Sequence, residues 1–168
     1  MYNILLTFFL AVVFCAAGAM MMLSAVAFIR DRKLFSSAPK EIQAVIEPRT
    51  EELFHGAKAI GWTLFIISLL MISGVMVISV WDGFRNDFTF GQFFLRFFII
   101  LTVYKLCDMI LIDNFLLLKF SFFQYYYPET KQVMKDRKYG FNIKSQLLKL
   151  LIIFPVASAL AAWVCSLF

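Results

Sequence analysis

Residues 97–118 read FFIILTVYKLCDMILIDNFLLL, an apolar stretch bracketed by Arg96 and Lys119 that carries three further charged side chains. A transmembrane helix needs about 20 predominantly apolar residues, and this stretch is long enough. A charge near the bilayer centre costs about 2.5–3.5 kcal/mol on insertion scales, so such residues usually face protein or water. We therefore expect Lys105, Asp108 and Asp113 to lie inside a helix bundle or at an interface, and to mark the functional site.

Three further apolar segments of similar length predict an all-α, polytopic membrane protein. A hydrophobic fraction of 62% leaves little sequence for a soluble domain. The chain is therefore expected to form a single transmembrane four-helix domain over residues 1–168. The predicted spans are residues 4–29, 57–81, 93–120 and 145–168, with cytoplasmic loops at 30–56 and 121–144.

Positive charge is concentrated in the first and third loops, which hold five basic residues each, whereas the second loop has only Arg85. Because cytoplasmic loops carry an excess of Lys and Arg, this pattern predicts an N-out/C-out, multi-pass protein of the cytoplasmic membrane. The same loops are expected to contact membrane lipids through their anionic headgroups. Their basic residues are mixed with acidic ones, which argues against nucleic acid as a partner.

The spacing of charges in the third segment separates one pair from a remaining acid. Lys105 and Asp108 are three residues apart, so they can pair on the surface of one helix. Asp113 lies about 12 Å from Lys105 along the helix axis and needs another partner. We expect Lys149, near the cytoplasmic end of the fourth segment, to contact Asp113 directly or through water. Together with Asn114, these side chains form the predicted ion, proton or substrate site.

Small residues predict where helices pack closely in lipid. Gly18 lies in the sequence CAAGA of the first segment, and Gly74 lies in the second. Ser158 and Ala162 are four residues apart in the fourth segment. Because small side chains let helix backbones approach each other, we expect these four positions to lie at helix contacts.

The loops contain patterns of their own. A segment starting at Pro39 places Ile42 and Ile46 on one face, which predicts a short amphipathic helix on the inner membrane surface. Residues 120–127, FSFFQYYY, predict an aromatic belt at the membrane interface. The second long helix is expected to begin near residue 50, where Thr50 can act as an N-cap.

The sequence contains no pattern typical of a metal site or a nucleophilic enzyme. His55 is the only histidine, and the three cysteines lie within predicted spans without metal-ligand spacing. Cysteines in such positions are expected to act as small buried hydrophobic residues. No Gly-rich phosphate loop is present. We therefore expect no metal and no cofactor, and an enzyme is not the favoured interpretation.

The sequence DMILID at 108–113, followed by YYPET at 126–130, resembles a pattern in small bacterial membrane proteins. Those proteins have four helices, an acidic third helix and a Pro-Glu-Thr loop. The resemblance implies a four-helix bacterial membrane protein. It implies no particular activity.

The favoured interpretation is a transporter or channel subunit with a charged centre on the third segment. One alternative is a lipid-modifying membrane enzyme, with Asp108 or Asp113 as general base and Tyr125 to Glu129 near the headgroups. The other is a non-catalytic accessory or assembly subunit, in which the charges form a neutral polar core. Because four helices enclose little volume for three charges, we also expect a homo-oligomer or a partner membrane subunit.

Overall fold

The computed structural model describes residues 4–35, 40–47, 51–135 and 143–167, and within these ranges the chain is helical and contains no strand. The long helices are α1 (Ile4–Leu23), α3 (Ala57–Arg85), α4 (Phe90–Cys107) and α8 (Phe154–Cys165). The short helices are α2 (Lys40–Val45), α5 (Phe122–Tyr126), α6 (Lys131–Met134) and α7 (Ile143–Leu148). Three segments have π-helical geometry: Ser24–Ile29 after α1, Asp108–Lys119 after α4, and Lys149–Ile153 between α7 and α8.

Three helical stretches are long and apolar enough to cross a membrane: Ile4–Ile29, Ala57–Arg85 and Ser145–Cys165. The predicted all-α architecture is confirmed for the described residues, and these stretches agree with a membrane protein. The third predicted span, which corresponds to α4 and its π-helical extension, is not among them. A count of four spans and the N-out/C-out orientation therefore remain predictions.

Helix α1 lies between α3 and α4 and packs against both. Leu10 and Phe14 of α1 share one apolar cluster with Val75 of α3 and Ile100 of α4. Helix α8 packs against α4 rather than against α1. The helices are therefore arranged in the order α3, α1, α4, α8.

The ends of the helices show their relative directions. The end of α8, at Ala162 and Cys165, packs against the start of α4, at Phe93 and Phe97, so these two helices are antiparallel. Helix α3 is joined to α4 by a short turn, and Thr89 forms a capping box with Gln92 at the start of α4. Helices α3 and α4 therefore also run in opposite directions.

Two glycines of α3 differ in their surroundings. A Cβ atom at Gly61 would lie 2.7 Å from the Phe28 Cβ and 2.8 Å from the Ile29 Cγ1, so α3 and the end of the first span approach closely there. No described atom lies within 4 Å of the corresponding position at Gly74. The close helix contact expected at Gly74 is therefore not made within one copy of the chain.

Replacing Gly61 with leucine is expected to lower the free energy of unfolding by about 1–3 kcal/mol, the usual cost of overpacking. The new side chain would have to displace Phe28 and Ile29. Unfolding in mixed detergent micelles would measure the change, with Gly74→Leu as the matched control in the same helix. Equal destabilisation by the two substitutions would contradict the close contact at Gly61.

The first and third loops pack together in one apolar cluster. Ile42 and Ile46, in and just after α2, are buried with Phe123, Tyr127 and Met134 of the third loop. Polar contacts also join the two loops, since Arg30 Nη2 donates a hydrogen bond to the Tyr126 carbonyl over 3.3 Å. We refer to this unit as the loop core.

The loop core corrects two sequence predictions. The apolar face of α2 contacts protein rather than the membrane surface, and Phe123 and Tyr127 are core residues rather than interfacial anchors.

The predicted start of the second long helix near residue 50 is wrong. Helix α3 begins at Ala57, directly after Gly56, which has a left-handed φ of 87° that favours glycine.

Candidate polar site on the third long helix

Among the described residues, the most deeply buried charge is that of Arg96, which lies in the first half of α4 and has a side chain that is 0% exposed. Its Nη1 lies 2.7 Å from Asp82 Oδ2 and donates to the Ser79 carbonyl over 3.2 Å. Its Nε donates to the Thr7 hydroxyl over 3.3 Å. The guanidinium also lies 4.4 Å from the centre of the Phe88 ring, a cation–π contact. A single arginine thus joins α1, α3 and α4.

Sequence reasoning missed this role of Arg96 because it treated the residue only as the boundary of the apolar stretch. A signal was nevertheless present, since Arg96 stands in the apolar sequence FFLRFF. An arginine in such surroundings needs an anionic partner. Asp82, across the short turn between α3 and α4, is that partner.

The intrahelical pair that the spacing predicts is present. Lys105 Nζ lies 2.5 Å from Asp108 Oδ2, with side chains that are 5% and 20% exposed. The lysine is therefore enclosed, whereas the carboxylate is partly accessible. The helix changes from α to π geometry at Asp108. Such changes are rare and occur frequently at functional sites.

The two ion pairs lie at different depths along α4. Nine residues of α-helix separate Arg96 from Lys105, which corresponds to about 13.5 Å along the axis. The hydrocarbon core of a bilayer is about 30 Å thick. If Arg96 lies near one boundary of that core, the Lys105–Asp108 pair lies near its middle.

Helix α1 approaches α4 closely beside this pair. A Cβ atom at Gly18 would lie 2.7 Å from Cε2 of Tyr104, the neighbour of Lys105. The rings of Phe14 and Tyr104 meet edge to face, with centroids 5.0 Å apart. The structure thus places Gly18 at a tight helix contact, next to the polar pair.

Two cysteines lie at this level of the bundle. The side chain of Cys15, on α1, lies near those of Cys107 and Asp108, in the third span. Both cysteines are half-buried, and neither forms a disulfide. The sequence did not predict that these two residues lie near each other, because they are on different helices.

The other predicted helix contacts lie on α8. Ser158 and Ala162 are both fully buried. Ala162 packs with Phe93 and Phe97 of α4. The Ser158 hydroxyl donates to the Phe154 carbonyl over 2.7 Å, so its buried hydroxyl is hydrogen-bonded within the helix.

The rest of the predicted site lies in the π-helical segments. Asn114 is exposed and Lys149 is half-buried. The side chain of Asp113 lies outside the described part of the structure, so its contact with Lys149 remains a prediction. Within the residues that the structure describes, no group of three or more His, Cys, Asp or Glu residues is placed to hold a metal ion.

Comparisons of the chain with models of protein families, with curated proteins and with solved structures gave no match. Its function therefore has to be inferred from the geometry of its own residues.

Proposed function

We propose that the chain is a four-span integral membrane protein with both termini outside, and that it acts as a transporter or channel subunit. Its polar centre is the Lys105–Asp108 pair on α4. The observation that carries this proposal is an ion pair part-way along an apolar helix, in which the lysine is enclosed and the carboxylate is partly exposed. Intramembrane charges of this kind mark ion paths and substrate sites.

The directions of the helices support a fourth span. Helix α3 ends where α4 begins, with only a short turn between them. Helix α8 ends beside the start of α4, so the segment leading into α8 begins at the opposite end of the bundle. This arrangement favours a crossing of the whole bundle by α4 and its π-helical extension, in parallel with α1.

The loop core supports the proposed orientation. Ile42 of the first loop packs against Phe123 of the third, and the Glu47 amide donates to Glu129 Oε1 over 3.4 Å. Loops that pack together lie on one side of a membrane. Their excess of basic residues favours the cytoplasmic side, where they would contact anionic headgroups.

The Lys105–Asp108 ion pair would weaken when an ion binds at Asp108. When Asp108 binds a proton or a cation, its attraction to Lys105 decreases, because the carboxylate charge is neutralised. Lys105 then needs another partner. Asp113, Asn114 and Lys149, further toward the cytoplasmic end, would continue the polar path. Self-association or a partner membrane subunit would cover the side of this path that the chain's own helices leave exposed.

A second candidate function has support from a separate observation. Arg96 and Lys105 each have a carboxylate partner within the chain, so the charges cancel in pairs. Paired buried charges can serve to specify how helices align. The corresponding function is a non-catalytic accessory or assembly subunit of a membrane complex.

The lipid-modifying enzyme has less support. Tyr127 is fully buried in the loop core, and Glu129 accepts a hydrogen bond from the backbone of Glu47. These groups hold the two loops together, whereas an enzyme of this kind would present them to lipid headgroups.

Flux measurements in proteoliposomes test the proposed function. We expect the wild-type chain to carry protons or monovalent cations, and Asp108→Asn and Asp113→Asn to reduce the flux to that of protein-free vesicles. Neutral side chains at these positions cannot exchange a proton or attract a cation. Asp31→Asn is the control, since Asp31 is an exposed carboxylate of the first loop.

Two results would overturn the proposal. One is a wild-type flux no higher than that of protein-free vesicles. The other is an unchanged flux in both Asp108→Asn and Asp113→Asn. Either result would favour the accessory subunit.

A further inference from the structure

All three tryptophans of the chain are exposed on the surface of the structure. Trp62 lies near the start of α3, Trp81 near its end, and Trp163 near the end of α8. The three residues are 45%, 58% and 56% exposed. Tryptophan is highly buried on average in proteins, so three rings left open in this way indicate a partner that covers them.

Two of the tryptophans lie at the same end of the bundle. Gly83, two residues after Trp81, packs against the Phe93 ring at the start of α4. Ala162, the neighbour of Trp163, belongs to the apolar cluster that contains Phe93. Trp81 and Trp163 are therefore on one level, although they come from different helices.

Trp62 marks the opposite end of the bundle. Its neighbour Gly61 lies against Phe28 and Ile29, where the first apolar stretch ends. Nineteen residues of α-helix separate Trp62 from Trp81, which corresponds to about 28.5 Å along the axis. The hydrocarbon core of a bilayer is about 30 Å thick. The distance between the two levels therefore matches the thickness of that core.

A basic residue lies one helical turn outside each tryptophan of α3. Lys58 precedes Trp62 by four residues, and Arg85 follows Trp81 by four. The Arg85 guanidinium carbon lies 5.3 Å from the centre of the Trp81 ring. Tryptophan rings are enriched at membrane–water interfaces, and basic side chains next to them reach toward the headgroups. The positive charge at both ends of α3 thus complements the phosphates of phospholipids.

We propose that the three tryptophans hold the chain at a fixed depth in a phospholipid bilayer. Trp62 contacts the headgroup region of one leaflet, and Trp81 and Trp163 contact that of the other. The inference rests on the four-span arrangement of the proposed function. It holds equally for a transporter and for an accessory subunit.

This placement gives each ion pair of α4 a definite depth. Asp82 follows Trp81 directly, so its partner Arg96 lies at one boundary of the hydrocarbon core. Lys105 lies about 13.5 Å further along α4, which is about half of the distance between the two levels. The Lys105–Asp108 pair is therefore at the midplane of the bilayer, where many transporters hold their substrates.

Tryptophan fluorescence in phosphatidylcholine vesicles tests these depths, because bromine atoms on the acyl chains quench a ring that lies at their own level. Three variants each keep one natural tryptophan and carry phenylalanine at the other two positions. We expect each natural ring to lose more fluorescence in vesicles brominated near the headgroups than in vesicles brominated near the ends of the acyl chains.

Two matched variants carry a single tryptophan elsewhere, in a chain with phenylalanine at all three natural positions. Leu70→Trp places the ring on the exposed face of α3 between the two levels, and Leu106→Trp places it next to Lys105 in α4. Leu70 and Leu106 are 67% and 43% exposed, so the new rings can point away from the packed core. We expect both variants to lose more fluorescence in vesicles brominated near the ends of the acyl chains.

Three results would overturn the proposed depths. One is a natural tryptophan that bromines near the chain ends quench at least as strongly as bromines near the headgroups. Another is Leu106→Trp fluorescence that falls more with bromines near the headgroups. The third is a natural tryptophan whose fluorescence neither lipid changes, which would show that protein covers the ring.

Failure of the proposed depths and failure of the proposed function give different results. Quenching of Leu106→Trp by aqueous iodide, and by neither brominated lipid, would place α4 outside the bilayer and refute the four-span arrangement. The expected quenching combined with a wild-type chain that carries no flux would refute transport and leave the depths standing.

Discussion

Replacing Arg96 with methionine is expected to lower the free energy of unfolding by about 3–5 kcal/mol, the usual cost of breaking a buried ion pair. Methionine fills much of the same volume but cannot donate hydrogen bonds. Asp82 would lose its cation, and the bonds to Ser79 and Thr7 would be lost as well. The change can be measured by unfolding in mixed detergent micelles.

Two further variants separate the ion pair from other effects of the substitution. Arg85→Met makes the same change at an exposed arginine, which lies 5.3 Å from the Trp81 ring, and is expected to have little effect. Combining Arg96→Met with Asp82→Leu should recover most of the lost stability, because no carboxylate is then left unpaired. A double variant as unstable as Arg96→Met alone would contradict this account.

Replacing Lys105 with methionine and Asp108 with leucine together is expected to leave the stability near that of the wild type and to abolish flux. Removing both partners of an ion pair leaves no uncompensated charge, and apolar replacements of this kind are often neutral or stabilising. The ion-exchanging carboxylate is nevertheless gone. Unfolding in micelles and flux in proteoliposomes would be measured on the same preparations.

The single variant Lys105→Met provides the comparison. It leaves the Asp108 carboxylate without its cation, so we expect a loss of about 3 kcal/mol, at the lower end of the range because the carboxylate is partly exposed. If the double variant were stable and carried wild-type flux, the pair would be a structural element. The accessory-subunit function would then be favoured.

Local patterns predicted the features that depend on neighbouring residues in the chain. The apolar lengths located the long helices, because a helix satisfies its own backbone hydrogen bonds whatever surrounds it. The Lys105–Asp108 pair was predictable for a related reason, since side chains three residues apart on a helix are always neighbours. The charge of the loops predicted an orientation in the same way, from composition alone.

The remaining features required knowledge of which helix faces meet. The partners of Arg96 come from α1, from α3 and from the turn between α3 and α4, so they are far apart in the chain. Gly61 and Gly74 are both glycines in apolar parts of α3, but of these two only Gly61 is closely approached by a neighbouring helix. No local spacing predicts such encounters, because they depend on the rotation and depth of each helix relative to the others.

The contact between the first and third loops was also not predictable from the sequence. The periodicity around Ile42 indicated an apolar face that needed cover, but not whether lipid or protein would cover it. In the structure Phe123 and Tyr127 do so, because the first and third loops leave the bundle close together. The sequence alone therefore specified the helices, their polar residues and the need for partners. Packing in the tertiary structure determined which residues became those partners, because apolar side chains are buried and charges are paired only when distant segments meet.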